Sequence, residues 1–309
     1  MKLTKLTALC TAATMALFAA NPAYACDICG GEPEAVETAE ATGGPALWKV
    51  ADEDTTIYMF GTVHMLPDDV DWNSGVVNNA LASADTLVTE VDMTPANEAA
   101  AAQMFQEMGT LPEGTTLRSL MNEEQLKTFE AGLAKIQLPA EVVDGMEPWL
   151  ASLVMLQITT QASGFTPDKG VETVLEAAVG PEVRREALET IALQVEVFDG
   201  LAMDKQLDYL LDFAADPIEG IKMLNTLVDE WAEGDAETVG SIMNEAMEGS
   251  PELADRLLYN RNKNWAEWID ARLDTPGTVF MAVGAGHLAG NKSVQDYLKE
   301  KGIETKRIQ

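Results

Sequence analysis

Two histidines make up the whole imidazole supply of the chain, and both occur in the same small pattern. Gly61-Thr62-Val63-His64 follows Thr56-Ile57-Tyr58-Met59-Phe60, and Gly284-Ala285-Gly286-His287 follows Val279-Phe280-Met281-Ala282-Val283. Each preceding run is apolar and β-branched enough to make a buried strand, and the glycines let the backbone turn sharply behind it. A third run, Thr86–Asp92, reads as a strand carrying Glu90 and Asp92 near its end. In a parallel sheet these ends share one edge, where open α/β sheets keep their reactive groups. Two neutral imidazoles and one carboxylate form a ligand set for Zn²⁺, Mn²⁺, Fe²⁺ or Co²⁺ with positions left for water and substrate. Such an ion acidifies a water and polarises a carbonyl. Either acid suits, Glu90 being the better placed. The plainer reading is that each histidine only closes a turn and each acid only caps the following helix.

Other residues complete or narrow this picture. The backbone N–H groups around Gly284 and Gly286 offer an oxyanion hole beside the ion. The same stretch is not a phosphate loop, because Asn291 separates Gly290 from Lys292 and the G-x-G-x-x-G spacing is missing. Arg256, Arg261, Asn262, Lys263 and Asn264 form a basic patch on a predicted helix. Lys263 reads as a surface ion-pair partner. Arg261 precedes the apolar face of Trp265 and Trp268 and is expected to point inward, where it would orient a carboxylate ligand or bind a substrate carboxylate. No Gly-x-Ser-x-Gly elbow is present, and with both histidines committed a Ser–His triad is not expected.

The elements that must position these groups fall into a pattern. Ala46–Ala51 and Thr55–Phe60 are expected to form a hairpin around Asp52-Glu53-Asp54. A helix over Asn73–Ala84 leads to the Thr86–Asp92 strand. From Pro95 to about Thr275 the spacing is mostly helical: Ala96–Met108, Glu123–Ile136 capped by Asn122, Trp149–Ala162, Gly170–Val179, Gln194–Ala214, Pro217–Glu233, Asp235–Glu248 and a long helix over Pro251–Leu273. Glu182–Thr190 reads as a short strand ending at Leu188-Glu189, and Val294–Lys301 as a last helix. Trp149, Met155 and Trp231 read as core. The expected fold class is α/β: a mixed sheet built from N- and C-terminal strands, with a large helical insertion over about 95–275.

Charge and leader set the setting. The formal net charge is −31, which excludes a nucleic-acid partner and disfavours anionic lipid. The acid is spread along the chain and reads as a solvated surface. Met1–Lys5 is basic, Leu6–Ala20 is apolar, and Ala23-Tyr24-Ala25 suits a signal peptidase. Residues 1–25 are expected to leave as a signal peptide, taking Lys2, Lys5 and Cys10; the poor fit of Ala23 and Tyr24 ranks a lipoprotein second. No later segment approaches a membrane span, so the product is expected in the periplasm or outside the cell. Residues 26–45 read as a flexible acidic linker holding Cys26 and Cys29, a local disulfide or unpaired thiols rather than a redox pair. Residues 46–309 form the remaining domain.

Together, G-T-V-H-M-L-P, T-E-V-D and F-M-A-V-G-A-G-H-L-A-G-N resemble the TraB/PrgY/GumN family, closest to its bacterial GumN-like branch. E-P-W-L-A-S-L, K-G-V-E-T-V-L, A-L-E-T-I-A-L-Q and R-N-K-N-W match its middle segments. The family is similar to the animal Tiki proteins, membrane-tethered metalloproteases that depend on paired Gly-x-x-His motifs and a glutamate with Mn²⁺ or Co²⁺. The resemblance implies His64, His287 and Glu90 as the metal and catalytic core, with Glu172, Glu189, Arg261 and Asn262 around it. Asp is the family's usual acid in the G-V-E slot, so Glu172 departs from the pattern. The expectation is an exported metal-dependent hydrolase of peptides or envelope-derived material. The alternatives are a non-catalytic periplasmic binding protein for a peptide or envelope polysaccharide component, and hydrolysis of another ester or amide at the same site.

Overall fold

The computed structural model describes residues 43–92 and 94–309. The signal peptide expected over 1–25 and most of the linker, with Cys26 and Cys29, lie outside the described residues.

β1 (Leu47–Ala51) and β2 (Thr55–Thr62) form the expected hairpin. The Asp52 carboxylate closes it by accepting from the N–H groups of Asp54 and Thr55. Ser74 caps α1 (Gly75–Ala82), which leads to β3 (Thr86–Thr89). The chain then runs through α2 (Pro95–Met108), α3 (Glu123–Lys135), α4 (Pro148–Ala162) and α5 (Val171–Ala178). The edge strand β4 (Arg184–Ala187) follows. Four helices come next: α6 (Ile191–Asp199), α7 (Met203–Ala215), α8 (Pro217–Glu233) and α9 (Ala236–Met247). The last helical stretch is α10 (Pro251–Ala254), a π turn over Asp255–Tyr259, and α11 (Asn260–Leu273). β5 (Gly277–Gly284), a 3-10 turn over Ala285–Leu288, α12 (Val294–Glu300) and β6 (Lys306–Arg307) finish it.

The six strands lie in the order β4-β3-β5-β2-β1-β6. The first four are mutually parallel, β1 runs antiparallel to β2, and β6 pairs antiparallel with β1 at the far edge. The sheet is therefore mixed, and β5, the last long strand in the chain, slots between β2 and β3. This places the end of β5 between the ends of the two N-terminal strands.

Side-chain alternation decides what covers each face. Ile57, Met59, Val279, Met281 and Val283 are buried with Trp265, Ile269, Val294 and Leu298 of α11 and α12. Tyr58, Phe60, Phe280 and Ala282 instead join the large core made with the helices of the insertion. Phe60 packs on Trp72, Trp231 and Phe280 with ring centroids 5.7–6.5 Å apart. Burying each such side chain contributes about 1.5–3 kcal/mol.

Four differences from the sequence expectation have physical causes. The helix expected over Gln194–Ala214 is two helices. Gly200 caps α6 through its N–H to the Glu196 carbonyl, and a Cβ there would collide with the side chains of Glu196 and Arg256. β2 runs past Phe60 to Thr62, because Gly61 and Thr62 stay in ladder with Val283 and Gly284. β3 stops at Thr89, although Glu90 still accepts from the Glu189 N–H at 2.8 Å. β6 had no sequence signal beyond two cations, yet it pairs with β1 across Trp48 and Lys49. Asn122 caps α3 as expected, accepting from the N–H groups of Glu124 and Gln125. No helix among the described residues is long and apolar enough to cross a membrane.

Candidate functional site

The parallel register sets Thr62 beside Gly284, so both Gly-x-x-His turns leave the same edge of the sheet from neighbouring strands. Gly61 is where they meet. A Cβ there would lie 3.1 Å from Ala285 Cα, so a bare backbone lets the two turns approach. The Gly61 carbonyl is held by the Trp231 indole N–H at 2.8 Å. Gly286 faces Met243, where an added Cβ would come within 2.7 Å of Cε.

Glu90 lies just beyond β3 and is only 5 % exposed. Its Oε1 accepts from the Gly284 N–H at 2.8 Å, and its Oε2 accepts from Arg261 Nη2 at 2.6 Å and from Gln194 Nε2 at 3.1 Å. A buried carboxylate with three donors is held in one orientation. Asp92, the other acid of the strand, is exposed and accepts from Thr94 N–H and Asn97 Nδ2, which makes it a loop and helix-start residue.

His287 is fully buried in the 3-10 turn after β5. Its Nδ1 lies 2.5 Å from Asn262 Oδ1, and Asn262 Nδ2 donates to the Lys292 carbonyl at 2.8 Å. The amide is thereby oriented with oxygen toward the ring, so Nδ1 carries the proton and Nε2 presents a lone pair. That lone pair faces Arg261 Nη1 at 3.2 Å and Glu90 Oε1 at 3.8 Å. The ring packs on Trp265 with centroids 4.2 Å apart. Burial first, then the charges of Arg261 and His64, hold the imidazole pKa well below its usual value, so His287 is neutral.

Arg261 joins these groups. Besides Glu90 and His287 it donates from Nε to both oxygens of Glu189, at 2.9 and 3.0 Å, and from Nη1 to the Leu257 carbonyl at 2.9 Å. Its guanidinium carbon lies 5.0 Å from the Trp265 ring centroid, and Trp265 Nε1 also donates to Glu189. Burial pushes the Glu189 carboxyl up and Arg261 only partly offsets this. For Arg261 burial acts against the charge, but the two carboxylates outweigh it and keep the guanidinium protonated.

His64 has its own support. Its Nδ1 stands 2.5 Å from Glu172 Oε1, which also accepts from the Thr62 hydroxyl. Burial raises the Glu172 carboxyl, but His64 and the Thr62 hydrogen bond outweigh it and hold the pKa below the usual carboxylate range. Glu172 reaches the ring because α5 starts directly on the His64 backbone. The Val171 N–H donates to the Val63 carbonyl at 3.0 Å, and a Cβ on Gly170 would lie 2.1 Å from the His64 carbonyl oxygen.

His287, Glu90, Arg261, Asn262, Glu189 and Gly284 are thus one hydrogen-bonded cluster, and His64 and Glu172 are a second pair behind the adjacent strand. The Gly284 N–H, expected to offer an oxyanion hole, is donated to Glu90 instead. Among the described residues no three His, Cys, Asp or Glu side chains converge closely enough to hold an ion together. The expected trio is assembled only in part: Arg261 contacts both His287 Nε2 and Glu90 Oε2, and Nδ1 of His64 is turned to Glu172. Two of the donors do suit a divalent ion: ligand atoms each about 2.0–2.2 Å from a tetrahedral ion stand about 3.4 Å apart, and Nε2 of His287 is 3.8 Å from Glu90 Oε1. The carbonyl behind Nδ1 is the usual outer support of a metal-binding histidine.

Three contributors escaped the sequence reading. Gln194 is a polar residue between Leu193 and Val195 on the buried side of its helix, a usable signal. Thr62 sits within the first Gly-x-x-His pattern itself. Lys292 acts only through its backbone carbonyl, for which no sequence signal exists.

A mixed sheet carrying one histidine behind each of two adjacent parallel strands, and a buried acid behind a third, defines an α/β protein with its candidate site at the carboxyl edge. The sequence model of the TraB/PrgY/gumN family matches residues 46–307, and the chain belongs to that family. It is also similar to a protein of Amphimedon queenslandica described as "Metalloprotease TIKI homolog", with 24 % identity over 335 residues. That alignment covers 87 % of this chain and 62 % of the relative, so the chain spans less than two thirds of the relative's length. No solved structure matches the chain.

Proposed function

We propose that the protein is an exported metal-dependent hydrolase, in the first place a peptidase acting on a peptide or envelope-derived substrate. The observation that carries this reading is the Nε2 lone pair of a neutral, fully buried His287 facing Glu90 at the carboxyl edge. The distant similarity to a protein described as a metalloprotease supports it. His287 and Glu90 would supply two ligands of the ion, Mn²⁺, Co²⁺ or Zn²⁺, and His64 a third once its ring turns from Glu172; the ion would supply Lewis acidity toward a carbonyl and an attacking water. Asn262 keeps the proton on Nδ1 of His287, and Glu172 orients His64. Glu90 serves as a ligand or accepts the proton of the water, its oxygens aimed by Gly284, Gln194 and Arg261. Export rests on the basic and apolar leader with its Ala23-Tyr24-Ala25 site.

The test is a peptide library incubated with protein starting at Cys26 and Mn²⁺, Co²⁺ or Zn²⁺, beside His64→Ala and His287→Ala. Cleavage by the wild type alone is the expected result; equal activity in all three proteins disposes of the proposal. A second reading, a non-catalytic binding protein for a peptide or envelope polysaccharide, draws support from Arg261 contacting both Glu90 and His287. It expects ligand binding that survives chelation and yields no product.

A further inference from the structure

We propose that Arg261 is the built-in cation of this site and competes with the divalent ion for the His287 lone pair and the Glu90 carboxylate, so that metal entry requires its guanidinium to let go of both. The inference rests on the metal-dependent reading above and adds a device that controls it. Arg261 Nη1 stands 3.2 Å from His287 Nε2, and Nη2 donates to Glu90 Oε2 at 2.6 Å. One lone pair cannot serve an N–H donor and a metal at once.

The guanidinium has two further partners besides Glu90 and His287. Nε is already bound to both oxygens of Glu189, and the Leu257 carbonyl, inside the π turn, accepts from Nη1 at 2.9 Å. π turns interrupt helices mainly at functional sites, and here the interruption sits one turn before Arg261. Metal entry would break the Nη1 and Nη2 contacts, and the Nε bonds to Glu189 with the Trp265 face would keep the charge paired. Charge points the same way. Two buried acids, Glu90 and Glu189, share the single guanidinium of Arg261, so a cation that replaced it at Glu90 would leave Arg261 to Glu189.

The test measures Mn²⁺ affinity by calorimetric titration of untagged protein starting at Cys26, and melting temperature with EDTA or with Mn²⁺. Arg261→Met removes the competitor and is expected to bind Mn²⁺ about 10–100-fold more tightly, the worth of a hydrogen bond to a charged group. In EDTA it should melt below the wild type, because two buried acids lose their partner, and Mn²⁺ should raise its melting temperature by more than it raises the wild type's. Arg261→Lys keeps a charge that cannot reach both partners, and should show a smaller gain with the fold secure. Glu189→Gln weakens the pairing that would keep the displaced guanidinium and should bind Mn²⁺ several-fold less tightly. Folded Arg261 variants that bind Mn²⁺ no better than a metal-binding wild type, or worse, overturn the inference while the metal-dependent reading stands. Absence of binding in the wild type and every variant removes both together.

Discussion

Adding one methyl group at Gly170 should damage the site from outside it. Gly170 has φ −54° and ψ 138°, which alanine adopts without strain, so substitution alone should stabilise by about 0.4–1 kcal/mol through the unfolded chain. The obstacle is steric. The new Cβ would lie 2.1 Å from the His64 carbonyl oxygen, 2.8 Å from its carbonyl carbon and 2.9 Å from the Pro167 oxygen. All three are backbone atoms that cannot rotate aside, so the start of α5 must retreat by roughly 1 Å to restore ordinary contact, at an overpacking cost of about 1–3 kcal/mol. The same retreat stretches the Val171-to-Val63 hydrogen bond and withdraws Glu172 from His64 and Thr62. Leaving a buried acceptor unmet costs about 1–3 kcal/mol more. After the backbone gain is subtracted, Gly170→Ala should lose about 1–5.5 kcal/mol, or roughly 2–22 °C in a domain of this size. Gly75→Ala is the control: it opens α1 with no atom within 4 Å of the added Cβ and should melt at or slightly above the wild type. Thermal melts and urea titrations of the three proteins decide the matter. A Gly170→Ala protein melting within a degree of the wild type would refute the claim that α5 is seated directly on the His64 backbone.

Two further outcomes follow from the cluster around His287. Its folded-state pKa is depressed by burial and by Arg261 and His64, so below the ordinary value of 6.5 the unfolded chain takes up a proton that the folded chain refuses. Stability in EDTA should therefore be level on this account above pH 6.5 and fall by up to about 1.4 kcal/mol per pH unit below it. Urea titrations at pH 7.5, 6.5 and 5.5 should show a shallower fall in His287→Asn, and identical slopes would contradict the assignment. Asn262→Leu removes the acceptor that keeps the proton on Nδ1, and should weaken Mn²⁺ binding about 10–100-fold; unchanged affinity with an intact fold would show that the amide does not set the tautomer.

Much of this protein is visible in local patterns. The continuous apolar runs Ile57–Phe60 and Val279–Val283 identify strands buried on both faces, each face covered by a different layer. Both histidines stand out because a Gly-x-x-His turn after such a run is a feature of adjacent residues. Glu90 was preferred to Asp92, and the two acids do separate into a buried and an exposed one. The basic patch around Arg261 hid its meaning, since the same letters describe a surface ion-pair residue, as Lys263 was read, and a guanidinium buried between two carboxylates.

What local pattern could not supply was which distant groups each polar atom would meet. Arg261 lies 171 positions from Glu90 and 72 from Glu189, and only the docking of α11 over the sheet joins them. Glu172 reaches His64 because Gly170 lets α5 sit on the backbone beneath it. The sequence alone determined the strands β1 to β5, the turns that present the two imidazoles, and the supply of acids near them, because chain chirality, apolar runs and glycine act within a few residues. Tertiary structure decided that β5 enters between β2 and β3, and that one arginine contacts both His287 and Glu90, because strand order and buried charge pairing are properties of the whole packed sheet.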